Sequence, residues 1–202
     1  MTFSIWMDGG CNMIRDKTWR QRLCLRWGRY LATRHKGVSL DPTCLVHPEA
    51  RIDPRGAQLT VGARCRISPR AVIQGQVTIG DDSTVQIDSI LVGYGEAGAI
   101  TIGNFVRIAP QVMMIAGNHV FADPDRPITK QGMQPGPITI EDDVWVAGKV
   151  MITAGVHIGR GSVIGAGAVV TGDIPPFAIA LGVPARVVGR RGGAGGSGDE
   201  VP

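Results

Sequence analysis

The chain has 202 residues, 44% hydrophobic and only 5% aromatic, with 29 glycines and a formal net charge of +4. That length suits one good-sized domain, and with no run of eighteen apolar residues a membrane-spanning helix is excluded. The start, MTFSIWMDGGCNMIRDK, lacks a basic region leading into an apolar core, so no secretion signal is read; the expected location is the cytoplasm, with the N-terminal segment as the point of any membrane association.

The charge is uneven. Residues 1 to 36 hold eight Lys/Arg against two Asp/Glu, which leaves thirteen against fifteen for the rest. In this segment, assigned to residues 1–44, Trp19, Leu23, Trp27, Tyr30 and Leu31 recur at helical spacing, and Arg20, Arg22, Arg26, Arg29 and Arg34 take the other faces. The first reading is a helix packed by that stripe on the start of the main domain or on a neighbouring subunit. The second is a helix lying on an anionic membrane surface. Nucleic acid is set aside, because no recognition motif is present and the remaining domain is slightly acidic. Cys11, Cys24, Cys44 and Cys65 have neither metal-type nor redox-type spacing and are read as reduced thiols.

From residue 45 to 174 the chain keeps a period of six. Ile140, Val146, Ile152, Ile158, Ile164 and Val170 fall six apart, and shorter bursts precede them at Val61, Ile67 and Ile73, at Ile79, Val85 and Leu91, and at Ile102, Ile108 and Met114. Small or aliphatic residues such as Cys65, Ala71, Val106, Val144 and Ala168 follow four positions later, and turn formers such as Gly62, Gly80, Gly103 and Asp142 follow one or two positions later. Each hexapeptide therefore reads as a short flat strand and a corner, the corner residues tolerating a left-handed backbone. Three units close a triangle, and stacked triangles bury the aliphatic beats in one column, giving an all-β parallel β-helix.

Two interruptions break the beat. Residues 93–99, GYGEAGA, form a bulge, and residues 117–137, GNHVFADPDRPITKQGMQPGP, form an excursion with four prolines, read as an ordered arm. After the last beat, residues 175–191 read as a C-terminal cap segment, and residues 192–202 as a disordered Gly-rich tail.

The stretches IGDDSTV, ITIGNFVRIAPQV, ITIEDDVWVAGKVMITAGVHIGRGSVIGAGAVVTGDIPP and ALGVPARVVGR resemble the left-handed β-helix hexapeptide-repeat acyltransferases. Among these the likeness is to the galactoside, maltose and nodulation-factor O-acetyltransferases and to the colanic-acid type of exopolysaccharide enzymes, and it covers roughly residues 75 to 190. The left hand of the helix comes from this resemblance, since the period alone does not set it. The resemblance implies a homotrimer, acetyl-CoA as cosubstrate, no metal, and direct transfer of acetyl to a sugar hydroxyl, the sugar belonging to polysaccharide or exopolysaccharide biosynthesis. A lipid-linked saccharide acceptor would suit the membrane reading of the N-terminal helix.

It also implies roles for individual residues. His119 in the arm is the catalytic base, because an alcohol needs its proton removed and imidazole titrates near neutral pH; the adjoining Asn118 is placed with the acceptor. Trp145 lines the acyl pocket, and the Gly148 N–H faces the thioester oxygen. Ala166 and Thr171 lie along the pantetheine arm, and Arg186, with Arg190 or Arg191, meets the nucleotide phosphates. Asp88 and Glu96 fall near the acceptor-binding positions, and carboxylates accept hydrogen bonds from vicinal hydroxyls. His35, His47 and His157 have surface or structural roles.

Three alternatives remain. N-acetylation of an amino sugar nucleotide or of an antibiotic would use the same base. A non-enzymatic β-helix scaffold would bind no CoA. A γ-type carbonic anhydrase would need three histidines on zinc, and His119 has no partner within the arm.

Overall fold

The structure is a computed structural model and describes residues 17–192; the expectations for Cys11 and for the tail beyond Gly192 lie outside the described residues. The six-residue period builds a parallel β-solenoid with three faces. The first face stacks Val38–Leu40, Leu59–Val61, Val77–Ile79, Ile100–Ile102, Ile138–Ile140 and His157–Ile158; the third also has six strands and the second eight. Thr139 pairs with His157 eighteen residues on, which is one regular triangle. Ile100 pairs instead with Val77 and Ile138, so the bulge and the arm are looped out between strands without disturbing the register.

Each beat residue is buried: Ile140, Val146, Ile152, Ile158, Ile164 and Val170 form one continuous core with Leu91, Ile108 and Met114. Cys44 and Cys65 sit inward in this core, and the thiol of Cys44 is pushed up by its hydrogen bond to Cys65 and by burial.

The faces differ on the outside. The first presents Ser39, Thr60, Thr78, Thr101 and Thr139 in register. The third presents Val72, Ile90, Met113, Met151 and Val169, an unbroken apolar row. The second carries Arg66, Thr84, Arg107, Trp145 and Val163.

The corner glycines serve a purpose other than the expected one. The left-handed backbone falls on Arg64, Asp82, Phe105 and Asp143, two residues after Gly62, Gly80, Gly103 and Glu141. Gly62 and Gly80 are needed because the next coil presses on them: a Cβ on Gly80 would lie 2.7 Å from the Gly103 carbonyl carbon. The same approach lets each coil cap the one before. Asp81 Oδ1 accepts from the Ala63 N–H at 2.8 Å, Asn104 Oδ1 from the Asp81 N–H at 2.8 Å, and Asp142 Oδ1 from the Asn104 N–H at 2.6 Å.

Helix α1, Trp19–Thr33, closes the open end of the first coil, starting from a Thr18 capping box with Gln21. It packs by a different face from the one expected. Cys24, Leu25, Gly28 and Ala32 are buried, while Trp19, Leu23, Trp27 and Tyr30 are 67%, 53%, 52% and 60% exposed. The cause is Gly28, whose missing Cβ admits the backbone of Val46, His47 and Pro48 against the helix, an approach the aromatic side could not make. Arg29 anchors the contact by donating to the carbonyls of Leu40, at 2.9 Å, and Asp41. No described helix is long and apolar enough to cross a membrane.

Candidate functional site

The excursion is an ordered hairpin. Gly117–His119 pairs antiparallel with Met133–Pro135, placing Asn118 opposite Gln134 and His119 opposite Met133. The tip is tied by Gln131, whose Nε2 donates to the carbonyls of Asp123 at 2.8 Å and Arg126 at 2.7 Å. This locks the segment that four prolines have already stiffened.

Asn118 and His119 are exposed, and the His119 ring has no hydrogen-bond or ion-pair partner among the described residues. The bulge stacks directly beneath. Its Tyr94 N–H donates to the Gly98 carbonyl at 2.7 Å, and the Tyr94 ring covers Gly117, where a Cβ would come within 2.9 Å of it. Glu96, at the exposed tip of the bulge, thus shares one corner of the prism with Asn118 and His119. Beside them a cleft of about 550 Å³ is lined by Tyr94, Gly95, Met133 and Pro135 together with Arg55 and Gly75.

Asp88 does not join this group within one chain. It occupies the opposite end of the third face, where Arg70 donates to both its oxygens at 2.7 and 2.8 Å and holds its carboxyl below the ordinary carboxylate range. Both its oxygens are engaged by the guanidinium, and within one chain it stands at the corner stacked with Gly148, apart from Glu96.

The residues expected to meet the cosubstrate divide between two places. Gly148 and Ala166 stack at the corner between the second and third faces, one coil apart, joined by the hydrogen bond from Gly167 N–H to the Gly148 carbonyl at 2.9 Å. The Gly148 N–H donates to no backbone carbonyl among the described residues, and a side chain would fit there, its nearest neighbour being the Pro110 carbonyl at 3.5 Å. Trp145 lies on the second face as a strand residue, not a corner one, and is 52% exposed. It stands over a cleft of about 340 Å³ with Arg107, Ala109, Pro110, Gln86 and Thr84.

Thr171 sits at the far end of the third face, on the His119 side, exposed. The cap strand Arg186–Arg190 runs antiparallel to Ala178–Leu181, extending the second face. Arg186 is exposed near the Gly148 and Ala166 corner, and among the described residues its guanidinium donates to the carbonyl of its neighbour Ala185. Arg190 lies at the other end of the strand, roughly 13 Å along the backbone at 3.3 Å per residue. Arg191 is committed to Asp143 at 2.7 Å.

Tyr94 and Arg107 are the site neighbours the sequence reading missed. Tyr94 was visible as an aromatic at the base of an insertion; nothing in the hexapeptide pattern separates Arg107 from other outward positions. His157 bonds Glu141 at 2.9 Å, and His47 is buried near α1. Among the described residues no three His, Cys, Asp or Glu side chains gather as a metal site requires.

The fold and this corner make a hexapeptide-repeat β-solenoid with a histidine-bearing arm, an arrangement similar to that of the bacterial hexapeptide transferases. Residues 137–172 match the bacterial transferase hexapeptide (six repeats) family. The chain resembles galactoside O-acetyltransferase of Escherichia coli, 47% identical over 91 residues, 44% of this chain and 43% of the relative. It also resembles an acetyltransferase of Mycobacterium tuberculosis, named as probable, at 35% identity over 146 residues, 71% of this chain and 48% of the relative. The chain spans about half the length of the curated relatives it matches.

Among solved structures, an N-acyltransferase from Bacillus cereus in complex with dTDP-4-amino-4,6-dideoxyglucose and coenzyme A superposes with a TM-score of 0.68 at 26% identity, over 76% of this chain and 83% of that one. A maltose O-acetyltransferase from Clostridium difficile superposes at 0.54 with 27% identity, over 89% and 80%.

Proposed function

We propose that this protein is an acetyl-CoA-dependent acetyltransferase acting on a saccharide hydroxyl, with His119 as general base. The observation that carries the reading is His119 itself: a solvent-facing imidazole with no partner among the described residues, held on an ordered hairpin beside a cleft. The kinship with galactoside and maltose O-acetyltransferases supports the acceptor class.

In this mechanism the His119 ring nitrogen takes the acceptor hydroxyl proton as that oxygen attacks, then returns it to the departing thiolate. The Gly148 N–H donates to the oxyanion as charge develops there. Acetyl-CoA supplies the thioester carbonyl; Arg186 offers its phosphates a guanidinium, and Trp145 a flat apolar wall. Asn118 and Glu96 orient the sugar hydroxyls.

Such transfer needs the reacting atoms about 3–3.5 Å apart. In one chain, His119 and Gly148 lie at opposite ends of the third face, a side of six residues or roughly 20 Å of extended chain. A second copy would bring its Gly148 corner to the first chain's His119, and the apolar row of Val72, Ile90, Met113, Met151 and Val169 between those corners is a surface suited to burial against it. A homotrimer with three such clefts is the assembly that follows.

A second reading is favoured by the superposition on the N-acyltransferase bound to an amino sugar nucleotide: the acceptor group would be an amine, and His119 would serve unchanged. Titration calorimetry with acetyl-CoA, followed by assays on matched hydroxy and amino sugars with wild type and His119→Ala, tests both. Saturable binding at one site per chain and loss of transfer in the variant support the proposal; a variant at full rate sinks the general base.

A further inference from the structure

The outward side of α1 has no role in the fold or in transfer, yet it is the most apolar exposed helix surface described. At about 100° per residue, Trp19, Tyr30, Leu23 and Trp27 fall within one quadrant, diametrically opposite the buried Cys24, Gly28, Ala32 and Leu25. The aromatic residues are organised: the Trp27 and Tyr30 rings stack at 5.2 Å, and the Arg20 guanidinium sits 5.3 Å from the Trp19 ring centre. Arg20 borders the quadrant on one side and Arg22 and Arg26 on the other. From residue 17 to 36 the chain has seven Lys/Arg and no Asp/Glu.

We infer that this helix docks the protein on an anionic lipid bilayer, lying in the plane of the interface. Indole and phenol rings with one polar atom each settle at the headgroup boundary, and arginines at the edges of the stripe reach lipid phosphates while their stems stay on apolar ground. The placement allows it, because α1 spans the end of the prism, so the stripe faces away from all three faces and from the His119 corner. Charge argues against the other occupant, a second copy of the chain: pairing two such helices would bring seven like charges against seven. The inference stands independently of the acetyl-transfer reading.

The test is co-sedimentation of the full chain with vesicles of phosphatidylcholine alone or mixed with phosphatidylserine, at low and high salt, with tryptophan emission recorded in parallel. Wild type should bind only the anionic vesicles, release at high salt, and shift its emission to the blue. Each arginine near an anionic surface is worth roughly fivefold in partition, so Arg20→Gln with Arg26→Gln should weaken binding about thirtyfold, and Trp19→Ser with Trp27→Ser should abolish the emission shift. Because these side chains are exposed, circular dichroism melting should be unchanged in both variants. No binding by wild type, equal binding to neutral vesicles, or undiminished binding by the arginine variant overturns the inference; so does a tryptophan variant that changes only the oligomer mass by light scattering. Acetyl-CoA titration of the same samples reports separately on the proposed function.

Discussion

The ring of Tyr94 covers Gly117, so that the bulge of one coil clasps the root of the arm leaving the next. A methyl at Gly117 would meet that ring at 2.9 Å and must displace it or tilt the hairpin. Since His119 is two residues further on, a small tilt moves the imidazole proposed as base, and misplacement by about an ångström can cost a hundredfold. Gly117→Ala should therefore lower kcat with little change in the KM for acetyl-CoA. Adding Tyr94→Ala should restore part of the loss, since the pair is coupled; steady-state kinetics on the double-mutant cycle decides it, and additive losses would count against the clasp.

His119→Ala should reduce transfer by about 10²–10⁴-fold. The side chain is exposed and bonded to nothing described, so melting temperature and acetyl-CoA affinity should stay as in wild type. Calorimetry and a coupled thiol-release assay on the same preparation separate the three quantities.

Arg186 offers a sharper check on the cosubstrate. It projects from the cap strand, its guanidinium meeting only the Ala185 carbonyl among the described residues, and losing a charge-assisted bond to a phosphate costs about tenfold or more. Arg186→Ala should weaken acetyl-CoA by that factor and leave 3′-dephospho-acetyl-CoA nearly unaffected. Equal losses would place the arginine elsewhere on the ligand.

Much of this architecture was legible in the sequence because a solenoid core is local in period. Ile140, Val146 and Ile152 each point inward for the same reason, and the excursion at 117–137 announced itself by interrupting the beat. Three things were hidden. The use of Gly80 is a contact between coils, with Gly103 above it, and a pattern along the chain does not show what stacks on it. The commitment of Asp88 to Arg70 joins residues one coil apart. The helix had two candidate faces, and bulk favoured the aromatic one; the small face won because Gly28 allows backbone against backbone.

Asp88 gives a prediction in pH. Its folded-state pKa is depressed, first by hydrogen bonding to Arg70, so its contribution to stability is present above the unfolded value near 4 and is lost as pH falls through the folded one. Wild type should therefore lose stability on acidification below about pH 5, and Asp88→Asn should flatten that limb while lowering the neutral-pH melting temperature only slightly, the pair being more than a third exposed. A melting series across that range reads the slope; parallel curves for both proteins would remove the linkage.

Gly28 tests how far the end of the solenoid depends on α1. A Cβ there would lie 2.8 Å from the His47 carbonyl carbon and from Pro48 N, both backbone atoms that cannot rotate away. The helix must lift, uncovering Ala32 and the first-coil residues beneath. Gly28→Ala gains helix propensity, yet overpacking of this kind costs about 1–3 kcal/mol, and in a stacked-coil protein the loss of a cap lets the terminal coil fray first. Urea unfolding should show the lower midpoint, with hydrogen exchange rising at Val46 and Ile52 before Ile140. Trp19→Ala, on the exposed side of the same helix, should stay within about 0.5 kcal/mol of wild type; a destabilisation matching that of Gly28→Ala would mean the helix packs by its aromatic face after all.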